Sequence, residues 1–185
     1  MPVEVRALLK NAGVESSSLQ GTAAVHEIRL GTRRLRVGWT GIGPSRAEGA
    51  ARWIAATFPT RWVLLTGYAG GTLGGHGTGL LLAAGEVRRS GAPSLLPDAA
   101  LHQRMLEILE KSLEGDLRVH AGPFETVSQV AAGPEDKAAL GAAGVCAVDM
   151  ETHAAASGFA AAGIPWAALR VLLDPVRHSL AGVER

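Results

Sequence analysis

One stretch decides the fold, and it reads Trp62-Val63-Leu64-Leu65-Thr66-Gly67-Tyr68-Ala69-Gly70-Gly71. Its first four residues are apolar and come soon after Pro59, which is typical of a short buried strand. The glycines that follow predict a loop, because residues without a Cβ let the backbone turn tightly or approach a ligand closely. A tight turn that binds no ligand explains the same composition equally well.

Upstream of this stretch, the sequence predicts a hairpin followed by a helix. Apolar residues alternate along residues 21–39 around a Gly31-Thr32 turn, as in two strands with one buried face. Residues 46–57 carry alanines at helical spacing, and Ser45 and Glu48 have the spacing of a capping box. A strand, a loop, a helix and a second strand in this order imply a sheet with parallel strands.

Downstream of the stretch, helices and strands continue to alternate. Helices are predicted over residues 98–113, 135–143 and 151–162, and strands over residues 117–120, 145–148 and 166–173. Gly122-Pro123 is interpreted as a turn. This alternation predicts a layered α/β fold, and a length of 185 residues fits one domain that spans residues 1–185.

Composition excludes several classes of function. The formal net charge is only +1, with 18 basic and 17 acidic residues, so no nucleic-acid partner is expected. Cys146 is the only cysteine, which excludes an internal disulfide and fits a reducing cytoplasm. Glycine and proline interrupt the uncharged stretches, so no membrane span is expected. The histidines lack metal-ligand spacing and residues 41–43 lack a cofactor fingerprint, so neither a metal nor a cofactor is predicted.

Carboxylates and a methionine follow two of the predicted strands. Asp149, Met150 and Glu151 lie where a buried strand meets a helix, and Asp174 directly follows the last apolar strand, before Pro175. Open α/β sheets bind ligands at the carboxyl ends of their strands, which makes these residues candidates for a site. Capping of the helix by one carboxylate and a turn-forming Asp-Pro pair are the alternative interpretations.

These segments resemble the nucleoside phosphorylase superfamily, and especially its methylthioadenosine/S-adenosylhomocysteine nucleosidases. Residues 66–71 resemble the family's T-G-S-A-G-G loop, residues 148–151 its V-E-M-E segment and residues 169–174 its V-R-x-I-S-D strand. Residues 41–43 are similar to its G-I-G-K loop, and residues 2–5 to the end of its first active-site loop.

The ending Asp174-Pro175 and the region around Leu180 are similar to the hopanoid-associated branch of the family. The family fold that the resemblance implies is a three-layer αβα sandwich around a mixed, largely parallel twisted sheet. Compared with the family, the chain starts after the first strand and stops soon after Asp174, so this fold is expected to be shortened at both ends. Contacts in a homo-oligomer, most simply a dimer, would then cover the open faces.

The resemblance also implies a role for each matched residue. Asp174 would protonate or hydrogen-bond N7 of the departing purine, and Glu4 would be the base for the attacking water. Glu151 would hold the ribose hydroxyls, and Met150 would pack on the sugar. Further substrate contacts are implied for Tyr68, Ala69, Gly70 and Phe124, with core packing as the favoured alternative for the ring of Phe124.

This set of residues suits the cleavage of a nucleoside. A purine anion is a poor leaving group and the sugar becomes cationic, so the reaction needs an acid at the base and carboxylates near the sugar. The resemblance therefore implies a nucleosidase that hydrolyses the N-glycosidic bond of an adenine-type nucleoside. Its only partner would be that small-molecule substrate, apart from further copies of the chain.

Three departures from the family pattern keep alternatives open. Leu65 stands where phosphorylases usually have a phosphate-binding arginine, which favours water as the nucleophile, with a phosphate-dependent nucleoside phosphorylase as the alternative. Tyr68 and Leu173 replace two hydroxyl residues of the family. These changes motivate a third hypothesis, a non-catalytic member that binds a nucleoside or only self-associates.

Overall fold

The computed structural model describes residues 9–10, 12–114, 117–129 and 133–176. The strands are β1 (Gly13–Gln20), β2 (Ala23–Leu30), β3 (Arg33–Trp39), β4 (Val63–Gly71), β5 (Leu81–Arg88), β6 (Val119–Thr126), β7 (Ala147–Asp149) and β8 (Trp166–Asp174). The helices are α1 (Pro44–Thr57), α2 (Ala99–Ser112), α3 (Pro134–Ala142) and α4 (Thr152–Ala161).

Strands β1, β2 and β3 form an antiparallel sheet in that order. The predicted hairpin is confirmed as β2 and β3, which are joined at Gly31 with a φ of 58°. The central strand β2 buries Ala24, Val25 and Ile28, whereas almost every residue of β1 is exposed. Because β1 is mostly polar, it lacks the alternation of apolar residues that predicts a strand, and it was not predicted from the sequence.

The other five strands close into a barrel in the order β4-β7-β6-β5-β8. The pairs β4/β8, β5/β6 and β6/β7 are parallel, and β4/β7 and β5/β8 are antiparallel. The α/β class with mixed strand pairing is confirmed, and parallel pairs predominate only within the barrel, since β1, β2 and β3 pair antiparallel. The predicted sandwich around one sheet is not what these residues form, because the strands divide between this barrel and the three-stranded sheet.

Small side chains let so narrow a barrel close. Ala84, Ala147 and Ala168 are completely buried in its core cluster, together with larger side chains such as Phe124 and Leu172. Few side chains fit inside a barrel of five strands, so alanine at several inward positions leaves room for the large ones. The strand pairings that close the barrel join segments far apart in the chain.

The predicted loop at residues 66–71 is wrong, because β4 continues as a strand through Gly71. Its glycines make room for side chains of the neighbouring strand β8. A Cβ on Gly71 would lie 2.6 Å from Cδ1 of Leu172, and one on Gly67 would overlap the guanidinium of Arg170. The absence of side chains therefore serves close packing between strands here.

The predicted turn at Gly122-Pro123 is also wrong, since both residues lie inside β6. Proline cannot donate a backbone hydrogen bond, so within sheets it is confined to edges and irregular positions. The register between β5 and β6 shifts between Ala84 and Glu86, directly opposite Pro123. This bulge accommodates the proline.

Helices α1 and α4 pack against each other through small residues. Ala47 and Ala51 of α1 meet Ala154 and Ala155 of α4, with Phe159 in the same cluster. Helix α2 covers another part of the barrel through Met105. No helix among the described ranges combines the length and the apolar character needed to cross a membrane.

The two predicted helix caps had different outcomes. The side chain of Asp98 accepts a hydrogen bond from the backbone N–H of Leu101 at 2.8 Å, which confirms the predicted start of α2. The predicted capping box of α1 is wrong, because Gly43 is the N-cap residue and has no side chain to contribute. Glu48 instead forms an ion pair with Arg52, one turn further along the helix.

Candidate active site

The three matched segments meet where β7, β4 and β8 lie side by side. Gly70 of β4 is paired with Val148 of β7 on one side and with Asp174 of β8 on the other. A Cβ on Gly70 would lie 3.1 Å from Cγ1 of Val148 and 3.8 Å from both the carbonyl oxygen of Asp174 and Cε of Lys137. Glycine therefore lets four groups approach each other at this point.

Asp174 is buried, with 7% of its surface exposed, and its two carboxylate oxygens have different surroundings. Oδ2 accepts a hydrogen bond from Nζ of Lys137, a side chain on α3 that is itself buried. Oδ1 is also buried, yet it has no hydrogen-bond partner among the described residues. A buried oxygen without a partner costs free energy, so such atoms often mark functional sites.

Asp149 belongs to a second buried ion pair, in which both oxygens have partners. Oδ1 accepts hydrogen bonds from the hydroxyl of Thr126 at 2.8 Å and from the backbone N–H groups of Glu151 and Thr152 at 3.2 and 3.1 Å. Oδ2 accepts from Nε of Arg170 at 3.0 Å and from the hydroxyl of Thr152. Asp149 thus caps α4, the alternative that its position at a helix start had suggested.

Glu151 is half-buried and contacts the loop that precedes α1. Its Oε1 accepts a hydrogen bond from the backbone N–H of Gly43 at 2.7 Å. Gly43 has a φ of 96°, a conformation that favours glycine. Burial raises the pKa of Glu151, the Gly43 N–H opposes this shift, and the nearby Asp149 carboxylate adds to it. The G-I-G loop and the V-D-M-E segment are therefore in direct contact.

The remaining predicted site residues lie in different environments. Tyr68 is 41% exposed on β4, while its neighbour Ala69 faces the other way and is buried. Met150 is half-buried between the two carboxylate residues. Phe124 is fully buried in the barrel core, as the core-packing alternative expects, and its contact with a base stays a prediction. Glu4 and the region around Leu180 lie outside the described residues.

Sequence reasoning missed two of the side chains that organise this site. The sequence matched Arg170 to the family strand but gave it no role, although a charge within the apolar run of β8 is itself a sign of a buried ion pair. Lys137 had no such signal, since it follows Glu135 and Asp136 in what resembles an exposed charged run.

Two cavities in the structure lie away from the candidate site. The cavity of about 260 Å³ lies between the β1–β2 turn and α1, where Arg46 and Trp53 line it. A second cavity of about 290 Å³ lies beside Leu113 and Val119. Neither is lined by Asp174, Asp149 or Glu151, so it is the chemistry of the side chains that singles out this place.

Neither a metal site nor a reactive thiol is supported in the described part of the chain. No group of three or more His, Cys, Asp or Glu side chains there has an arrangement that could hold a metal ion. Cys146 is buried, and burial raises its pKa to about 11, which disfavours the reactive thiolate.

Comparison with protein families gives one match, to the phosphorylase superfamily over residues 1–183. None of the curated proteins compared with the chain matches it. Many solved structures do match, and the three described next share only 18–22% identity with the chain, so their likeness concerns the fold alone.

Three of these structures illustrate the likeness. The 5′-methylthioadenosine/S-adenosylhomocysteine nucleosidase of Neisseria meningitidis, in complex with methylthio-immucillin-A, has a TM-score of 0.83 and 22% identity, covering 94% of this chain and 82% of that one. A variant of the Helicobacter pylori enzyme MTAN, with 5′-methylthioadenosine in its active site, has a TM-score of 0.84 and 18% identity, covering 96% and 83%. Futalosine hydrolase of Helicobacter pylori has a TM-score of 0.82 and 19% identity, covering 94% and 86%.

Proposed function

Since the chain belongs to the phosphorylase superfamily, we propose that it is a nucleosidase that hydrolyses the N-glycosidic bond of a purine nucleoside with adenine as the base. The observation that carries the proposal is the buried oxygen Oδ1 of Asp174, which has no partner within the described ranges and lies where three matched segments meet. Nucleosidases among the structural neighbours, one of them holding 5′-methylthioadenosine, support the same substrate class.

In the proposed reaction, the bond between C1′ of the ribose and N9 of the purine breaks, and its electron pair goes to the purine. Asp174 passes a proton from solvent to N7 through Oδ1, which makes the base a better leaving group. The oxygen of a water molecule attaches to C1′, and Glu4 takes one proton of that water and returns it to solvent. The products are the free sugar and neutral adenine, so protons and electrons balance.

Glu151 suits the cationic sugar that forms during this cleavage. Its carboxylate is held on one oxygen by the N–H of Gly43, and the capped start of α4 fixes its backbone. A carboxylate placed this way accepts hydrogen bonds from ribose hydroxyls and stabilises developing positive charge. Because burial raises the pKa of Glu151, its ionised form is lost at higher pH than in an ordinary glutamate, so activity should decline early on acidification.

The test is release of adenine from methylthioadenosine, S-adenosylhomocysteine and adenosine, each with and without phosphate, followed by chromatography. Release that does not depend on phosphate is the expected result. Release only with phosphate would replace the proposal with a nucleoside phosphorylase, the alternative that Leu65 disfavours. Normal binding of an adenosine derivative without any release would favour a non-catalytic member of the family.

The oligomeric state also remains a prediction. A homodimer is the simplest expectation from the resemblance, and light scattering across a range of protein concentrations tests it. A monomer at all concentrations would remove the dimer from the proposal without affecting the chemistry assigned to Asp174.

A further inference from the structure

The lysine beside Asp174 has a burial that its sequence context does not explain. The side chain of Lys137 is 1% exposed, although Glu135 and Asp136 precede it at the start of α3. Lys10 and Lys111, by contrast, are exposed. Burying an ammonium group is unfavourable unless an opposite charge and good hydrogen bonds compensate it. Lys137 therefore lies in the interior because it pairs with the carboxylate of Asp174.

The route of the lysine side chain ties it to the candidate site. Its Cε would lie 3.8 Å from a Cβ on Gly70, so the aliphatic part of Lys137 passes beside this glycine. Its Nζ reaches Oδ2 of Asp174 and lies 3.4 Å from the carbonyl oxygen of Pro175. The two hydrogen bonds hold the lysine to the end of β8, and they leave Oδ1 as the carboxylate oxygen without a partner among the described residues.

On the basis of the proposed function, we propose that Lys137 is a positioning residue. It holds Oδ2 of Asp174 and stabilises the carboxylate that remains when the proton passes from Oδ1 to N7 of the purine. An opposite charge in contact with a carboxyl group favours its ionised form. Before the transfer, Asp174 carries the proton on Oδ1 and N7 has a lone pair. Afterwards, N7 carries the proton and Oδ1 accepts a hydrogen bond from it. Lys137 favours this second state, because its ammonium group contacts the carboxylate that the transfer leaves behind.

Two small bases distinguish these states without any turnover. In 9-deazaadenine, N7 carries a hydrogen and resembles the purine after the transfer. In 7-deazaadenine, a C–H group replaces N7 and has no such hydrogen bond to offer. A hydrogen bond to an ionised carboxylate, compared with none, contributes about a factor of ten or more in affinity. The wild-type protein should therefore prefer 9-deazaadenine by about tenfold.

The decisive experiment measures this preference by calorimetry in Lys137→Met. Without the ammonium, the buried carboxyl group lacks the opposite charge that favours its ionised form, so the preference for 9-deazaadenine should fall about tenfold. If Lys137→Met does not fold, Lys137→Gln serves the same purpose, because its amide can donate a hydrogen bond to Asp174 without a charge. Lys111→Met, an exposed lysine removed from α2, is the control and should behave as wild type.

The possible outcomes separate this inference from the proposed function. A variant that keeps the wild-type preference, even if less stable, overturns the role of Lys137 while the function stands. A wild-type protein that binds both bases equally well also overturns it. Failure of the wild-type protein to bind either base or to release adenine would reject the proposed function, and this inference with it.

Discussion

Two buried ion pairs have their aspartates at the ends of β7 and β8, the two strands that flank β4, and they differ in how completely their hydrogen bonds are satisfied. Asp149 and Arg170 form a closed pair, in which hydroxyl and backbone N–H groups supply partners to both carboxylate oxygens. Asp174 and Lys137 form an open pair, in which Oδ1 has no partner within the described ranges. The two aspartates are buried to the same extent, each with 7% of its surface exposed.

The difference between the two pairs shows that one small region contains both a structural ion pair and a group available to a ligand. A pair whose hydrogen bonds are complete has little to offer a ligand, and it fixes the backbone that carries Glu151. In a pair with an unsatisfied carboxylate oxygen, the desolvation penalty of that oxygen is not compensated. A ligand with a suitable hydrogen-bond donor or acceptor can compensate it. We therefore assign support to the closed pair and chemistry to the open one, and this division can be tested.

The largest expected effect is on turnover in Asp174→Asn. The amide keeps the shape of the side chain but is not an acid at N7, so the rate of adenine release should fall by about 10²–10⁴-fold. The measurement is steady-state kinetics on the nucleoside that the wild-type protein cleaves best. Calorimetry with adenine provides the control, since the variant should still bind the base. Unchanged turnover would show that another group is the acid, and the open pair would then have no chemical role that distinguishes it from the closed pair.

Removing the cation of the closed pair should instead act on stability. Arg170→Met leaves the buried carboxylate of Asp149 without its counter-ion, which should lower the free energy of unfolding by about 3–5 kcal/mol in urea titrations. The control is Arg52→Met, which breaks the exposed Glu48–Arg52 pair on α1 and should cost less than about 1 kcal/mol. Equal losses for both variants would show that burial of the Arg170 pair contributes nothing.

The contact between α1 and α4 supports the closed pair, because Asp149 caps α4. A Cβ on Gly158 would lie 2.7 Å from Cβ of Ala51, so Gly158→Ala should push the helices apart and cost about 1–3 kcal/mol by thermal or urea unfolding. Gly49→Ala is the matched control, since a Cβ there meets no atom within 4 Å. Alanine in an open helical position should stabilise by up to about 1 kcal/mol. Similar signs for both substitutions would contradict this packing.

The smallest expected effect is a gain in stability from Glu151→Gln. Burial raises the pKa of Glu151, so the fold is more stable when this carboxyl group is neutral. Glutamine keeps an acceptor for the Gly43 N–H without a charge, and the variant should melt at a higher temperature than wild type at neutral pH. The difference should shrink as the pH falls through the pKa of Glu151. A difference that grows on acidification would show that the ionised form is the one the fold favours.

Local features of the sequence predicted much of this arrangement. The alternation around Gly31, the cap at Asp98 and the carboxylates at the ends of apolar strands all depend on neighbouring residues, and they identified the hairpin, α2 and the positions of Asp149 and Asp174. The closed barrel could not be predicted this way, because it depends on pairings such as Gly70 with Val148 across the chain.

Burial explains two further differences between the sequence prediction and the structure. Lys137 stands in a charged run that is typical of a surface, and only the packing of α3 against the end of β8 brings its ammonium group to Asp174. The glycines of β4 predict a loop when only the local sequence is considered. In the fold they make room for Arg170 and Leu172, side chains of a strand about 100 residues further on. Neither of these contacts can be predicted from the residues that are adjacent in the sequence.

The most direct test of the central claim is a crystal structure of the protein with adenine bound. The account predicts that N7 or the amino group of adenine lies within hydrogen-bond distance, about 2.7–3.2 Å, of Oδ1 of Asp174, while the Asp149–Arg170 pair keeps its hydrogen bonds. Adenine bound elsewhere, for example in the cavity lined by Arg46 and Trp53, with Oδ1 of Asp174 untouched, would contradict it.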